Sequence, residues 1–76
     1  MEKITIEIDT QYIELNKLLK LANIVSSGGE ANTLITQGLI TVNAEPITAK
    51  RKKIYPDTTV TVENLYSITV YKNENK

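Results

Sequence analysis

Two short stretches concentrate the residue types that bind anions. "KRKK", Lys50 to Lys53, sets four positive charges in a row, and "SSGGEA", Ser26 to Ala31, sets two glycines side by side ahead of a helical pattern. Arginine offers a planar fork of donors and lysine a compact point charge, a combination that suits phosphate oxygens. On a strictly alternating strand Lys50 and Lys52 would point away from Arg51 and Lys53, so the run forms one patch only where the chain bends or loops. A plain solvated face is the competing reading. In the second stretch Ser27 and Glu30 match a capping box, in which the Ser27 hydroxyl accepts from the Glu30 N–H and the Glu30 carboxylate reaches back to the Ser27 N–H. Neither role calls for glycine. At the first helical positions Gly28 and Gly29 each cost up to ~1 kcal/mol relative to alanine. In return they leave the N–H groups at the positive end of the helix bare, where a phosphate can approach. The competing reading is that they let two helices cross closely.

Other chemistry is poorly provided for. The chain has no cysteine and no histidine, hence no disulfide framework, no thiolate, and neither the commonest metal ligand nor the commonest proton shuttle. Asp9, Glu14 and Glu30 have no acid–base partner at a diagnostic spacing, Ser26 and Ser27 have no histidine base, and no "GxxxxGK" phosphate loop occurs. The expectation is a non-enzymatic protein without cofactor, metal or small-molecule substrate. Tyr12, Tyr55, Tyr66 and Tyr71 are scattered and read mostly as packing at the core or a sheet edge. Tyr55 stands apart because it lies just beyond the basic run.

The formal net charge is zero, but it is unevenly spread. Residues 1–49 carry three lysines against six carboxylates, and residues 54–76 carry two lysines against three. The basic run is therefore a positive spot on an otherwise acidic chain, and local potential governs the docking of a polyanion. At 76 residues the chain reads as one small domain, 1–72, with little room for an enclosed active site. The tail 73–76, "NENK", has no apolar anchor and is expected to fray. No apolar run approaches the roughly 20 residues of a membrane span, and "MEKITIEIDT" lacks a basic region followed by an apolar core. The protein is expected to be soluble, unprocessed and cytoplasmic, with no membrane partner.

The elements that must carry these stretches follow from periodicity. "KITIEI" alternates Ile4, Ile6 and Ile8 with Thr5 and Glu7, the pattern of a half-buried strand. Leu15, Leu18, Leu19 and Ala22 mark one face of a first helix, with Asp9 or Thr10 as its expected N-cap and an end near Asn23. A second helix is expected from Gly28 to about Gln37, with Ala31, Leu34 and Ile35 inward and Gly38 as its left-handed cap. The period then becomes two: around Ile40 and Val42, around Ile47 and Ala49 after the turn-like "NAEP", around Val60 and Val62, and around Ile68 and Val70. This is an α+β domain, a helical hairpin packed on a small, mostly antiparallel sheet.

The order "LNKLLKLANIVSSGGEANTLITQGLITVN" followed by a basic run resembles the S4-like RNA-binding domain, also called the αL fold. More narrowly it is similar to the stand-alone bacterial subfamily often called YaaA-like or YbcJ-like. The matching residues are Leu15, Leu19 and Lys20; Ser27 to Ala31; Gly38, Ile40, Val42 and Asn43; and Lys50 to Ile54 with Val60, over roughly residues 3–62. The resemblance implies that the hairpin and adjoining strand face structured RNA, ribosomal or transfer RNA, with the ribosome as a candidate host. It implies Ser27, Gly28 and Gly29 at the RNA-facing start of the second helix and Lys50, Arg51, Lys52 and Lys53 on phosphates, with Lys17, Lys20 and Asn32 completing the surface. Asn32 stands where the subfamily carries lysine or arginine, and "PDTT" alters a turn. Ala44 replaces a glycine, so a two-residue turn with both central residues at positive φ is disfavoured and a longer "NAEP" turn is expected. A protein-interaction or assembly module on the same fold is the alternative.

Overall fold

The alternation of Ile4, Ile6 and Ile8 becomes β1 (Glu2–Ile8) in the computed structural model, which describes residues 1–73. β1 lies parallel to the last strand, β7 (Tyr66–Lys72), with Ile4 opposite Ile68 and Ile6 opposite Val70. A parallel pair cannot be closed by a hairpin, so most of the chain forms the crossover between them. β6 (Thr58–Val62) runs antiparallel to β7 and to β3 (Ile40–Val42), and β4 (Glu45–Pro46) forms the far edge, in the order β1-β7-β6-β3-β4. The sheet is thus mixed but mostly antiparallel. A separate ribbon pairs β2 (Ile13–Glu14) with β5 (Lys53–Ile54).

The helices α1 (Leu15–Leu21) and α2 (Gly28–Thr36) form the expected hairpin. Leu15, Leu18 and Leu19 from α1 and Ala31 and Ile35 from α2 are fully buried in one cluster with Ile40, Ile54, Val60, Ile68 and Val70. Each helix ends in a Schellman motif. Ile24 N–H donates to Leu19 O and Asn23 N–H to Lys20 O, while Leu39 N–H donates to Leu34 O and Gly38 N–H to Ile35 O. The left-handed residue is Asn23 in the first (φ 66°) and Gly38 in the second (φ 76°).

Three expectations are corrected. Neither Asp9 nor Thr10 caps α1. The helix begins at Leu15 behind Glu14, which makes no side-chain cap, and the N–H groups of Leu15 and Asn16 donate instead to Lys52 O (2.9 Å) and Lys50 O (3.2 Å). Backbone acceptors from a distant loop thus replace the local cap. The strand expected around Ile47 and Ala49 ends at Pro46; the Ile47 N–H still donates to Ile40 O of β3 (3.1 Å), and the chain leaves the sheet beyond it. The "NAEP" turn is the short form after all: Val42 pairs with Glu45, and Asn43 and Ala44 both take positive φ, 51° and 72°. Asn43 enforces this turn by donating its N–H to Thr59 O (2.8 Å) while its Oδ1 accepts from Thr59 N–H (3.1 Å). In "PDTT", Asp57 takes φ 68° and donates its N–H to Val70 O. Asn73 N–H donates to Ile8 O (2.7 Å), and residues 74–76 of the expected frayed tail lie outside the described residues.

Candidate nucleic-acid interface

The basic run does not lie along a strand. Lys50 and Arg51 form a turn closed by the Lys52 N–H on Ala49 O (3.2 Å), and only Lys53 enters β5. The strict alternation that would divide the four cations between two faces is therefore broken. Two of the turn's carbonyls point inward, accepting from the first N–H groups of α1, while the side chains of Lys50, Arg51, Lys52 and Lys53 are all exposed. The fixing point is Ile54, fully buried immediately after the run. A helix start leaves its first N–H groups without intrahelical acceptors, and here that need strings the basic turn onto α1.

Beside this turn sits a cluster that sequence spacing did not reveal. The Tyr12 and Tyr55 rings lie 5.8 Å apart at 49°, and Lys53 Nζ stands 5.0 Å from the Tyr12 ring centroid. Tyr12 also lines a cavity with Lys17 and Lys72, next to Asp9 and Glu14. Tyr55 lines another with Lys52 and Lys53, next to Glu45. The structure thus groups Lys17, Lys52, Lys53 and Lys72 around two tyrosines. Tyr55 drew notice in the sequence by following the basic run, but nothing there signalled Tyr12 or Lys72, because the β2–β5 pairing that brings Tyr12 to Tyr55 and the β1–β7 pairing that places Lys72 beside Ile8 are both long-range.

At the start of α2 the Ser27 Oγ accepts from Glu30 N–H (3.2 Å), as the capping box requires. The reciprocal arm is shifted: the Glu30 carboxylate accepts from the N–H of Ser26 (2.8 Å) and the Ser26 hydroxyl (3.1 Å), not from Ser27. A Cβ built on Gly28 would meet nothing within 4 Å, and one on Gly29 only Ser27 Oγ at 3.8 Å. Close helix crossing is therefore not what these glycines serve. Gly29 and Glu30 open onto a groove lined by Ile24, Leu34, Glu63 and Leu65, among others. That groove takes no lining from Lys50–Lys53, and the two cavities at the tyrosines take none from Ser27–Glu30.

The remaining residues of the expected surface divide. Lys17 and Lys20 are exposed on α1, with Lys20 in its last turn, where the helix dipole favours a cation. Asn32 is half-buried, and its Oδ1 is enclosed without a hydrogen-bond partner. Among the described residues no helix is long and apolar enough to cross a membrane.

Comparison with known proteins bears on this arrangement. The S4 domain model matches residues 6–70. RlbA, a probable ribosome maturation protein of Bacillus subtilis (strain 168), is 37% identical over 65 residues, covering 86% of this chain and 92% of that protein. The solution structure of YbcJ from E. coli, with an alfaL motif involved in RNA-binding, matches with a TM-score of 0.69 at 32% identity, over 88% of this chain and 85% of that one.

Proposed function

This chain belongs to the S4 domain family, and from that premise we propose that it binds structured RNA, ribosomal or transfer RNA, through phosphates and shape. In this reading it is a non-enzymatic module, in keeping with the S4 domain match and the RNA-binding motif of YbcJ. The observation that carries the reading is the Lys50–Lys53 turn, held by its backbone to the start of α1 with four cations exposed. In this reading Lys50, Arg51 and Lys52 take phosphates, Lys17, Lys20 and Lys53 extend the positive field, and Ser27, Gly28, Gly29 and Asn32 contribute the α2 side. The likeness to a probable ribosome maturation protein supports the ribosome or its precursors as the setting, and with it the cytoplasm.

Fluorescence anisotropy with a structured rRNA fragment, titrated with salt, tests this. Three or four phosphate contacts give a log–log salt slope of roughly −2 to −4. Replacing Lys50, Arg51 and Lys52 together by alanine is expected to abolish most of the affinity and flatten the slope. The thermal midpoint is expected to stay nearly unchanged, because exposed charges contribute little to stability. Lys53 is left in place because its ammonium packs on Tyr12. A folded triple variant with the parental affinity and slope would reduce the run to a solvated face. No RNA affinity in the parent at low salt, where attraction is strongest, would favour a protein-interaction module instead.

A further inference from the structure

We infer that Tyr55, propped by Tyr12 and Lys53, is a stacking seat for one unpaired base of the bound RNA, an inference that rests on the RNA-binding reading above. The ribbon explains how the seat is built. Ile13 pairs with Ile54 and Glu14 with Lys53, so Tyr12 and Tyr55 are the next cross-strand positions. Side chains two apart on a strand share a face. Tyr12, Glu14, Lys53 and Tyr55 therefore occupy one face of the ribbon, while Ile13 and Ile54 pack against the core from the other. The core side fixes the ribbon, and the outer side carries two aromatic rings and a cation.

The rings are not buried. Tyr55 is 50% exposed and Tyr12 36%. The tilt and spacing of the pair fall within the range of favourable aromatic contacts, and the Lys53 ammonium sits against the Tyr12 ring. Tyr12 is thereby engaged on two sides, and Tyr55 is the ring left more open to a ligand. Lys52 lines the same cavity as Tyr55, and Lys50 and Arg51 are in the adjoining turn, so cations for the flanking phosphates stand next to the aromatic surface. An aromatic platform beside a cationic track is the chemistry by which proteins hold unpaired nucleotides, since every base has a π-face. Paired bases present no such face, because they are stacked within the helix. Glu45 in the Tyr55 cavity and Glu14 on the ribbon repel phosphate, which directs the backbone towards the turn.

The test compares an RNA stem carrying a purine loop with the same stem as a blunt duplex, using the full chain and 2-aminopurine in the loop. The parent is expected to prefer the looped RNA and to quench the 2-aminopurine on binding. Tyr55→Ala is expected to lose roughly 5- to 150-fold in affinity for the looped RNA, with little change for the duplex, and to lose the quenching. Tyr55→Trp is expected to restore both. Tyr55→Lys separates stacking from charge: it adds a cation, so a purely electrostatic site would bind the loop more tightly, whereas a stacking seat loses loop preference and quenching. Tyr12→Leu is expected to weaken the quenching without changing the salt slope, as befits a positioning residue. A parent that binds loop and duplex equally, or a Tyr55→Lys variant that keeps the loop preference, overturns the stacking seat and leaves RNA binding standing. A parent that binds neither RNA overturns both.

Discussion

Replacing Ala44 by glycine is expected to stabilise the protein. Ala44 occupies φ 72° in a two-residue hairpin turn, and Asn43 before it φ 51°. An L-residue with a Cβ in the left-handed region carries a penalty of about 1–2 kcal/mol, which glycine escapes. Glycine has more freedom to lose on folding, which offsets about 0.5–1 kcal/mol of that gain. Ala44 is exposed, so no packing is forfeited. Mid-range values leave a net gain of about 0.7 kcal/mol, which for a domain of this size raises the thermal midpoint by about 3–6 °C. Thermal unfolding followed by far-UV circular dichroism measures it directly. Ala49→Gly serves as the control, because Ala49 is exposed without a positive φ and gains nothing from glycine. A midpoint for Ala44→Gly that is unchanged or lower, or that moves as in the control, would refute the assignment of a strained two-residue turn.

At the start of α2, Ser27→Ala removes the hydroxyl that accepts from Glu30 N–H and is expected to lower stability by ~1 kcal/mol in urea denaturation, at an unchanged m-value. Gly28→Ala is expected to act with opposite signs on folding and binding. The new Cβ meets no atom within 4 Å and improves helix propensity by up to ~1 kcal/mol, so the urea midpoint rises. Affinity for structured RNA falls where a phosphate needs the bare backbone. A loss of stability in this variant would revive the helix-crossing explanation, and unaltered RNA affinity would remove Gly28 from the interface.

Much of the molecule is determined by residues close together in the chain. Period-two isoleucines and valines define β1, β3, β6 and β7, and the i, i+3, i+4 leucines define the buried face of α1, because burial of one face selects the period. Gly38 and the Ser27–Glu30 cap bound α2 through bonds that span a few residues. The basic run and the glycine pair are likewise visible as local composition. What only the tertiary structure decided depends on long-range partners. The start of α1 is set by carbonyls of Lys50 and Lys52, which no local cap anticipates. The Asn43–Ala44 turn is held short by Thr59, against the preference of alanine itself. The basic run becomes a turn because its carbonyls are needed at a helix start, and Tyr12 reaches Tyr55 because Ile13 and Ile54 must both enter the core. Periodicity reports which face of an element is buried, whereas the partner an element finds depends on how all the faces are buried together.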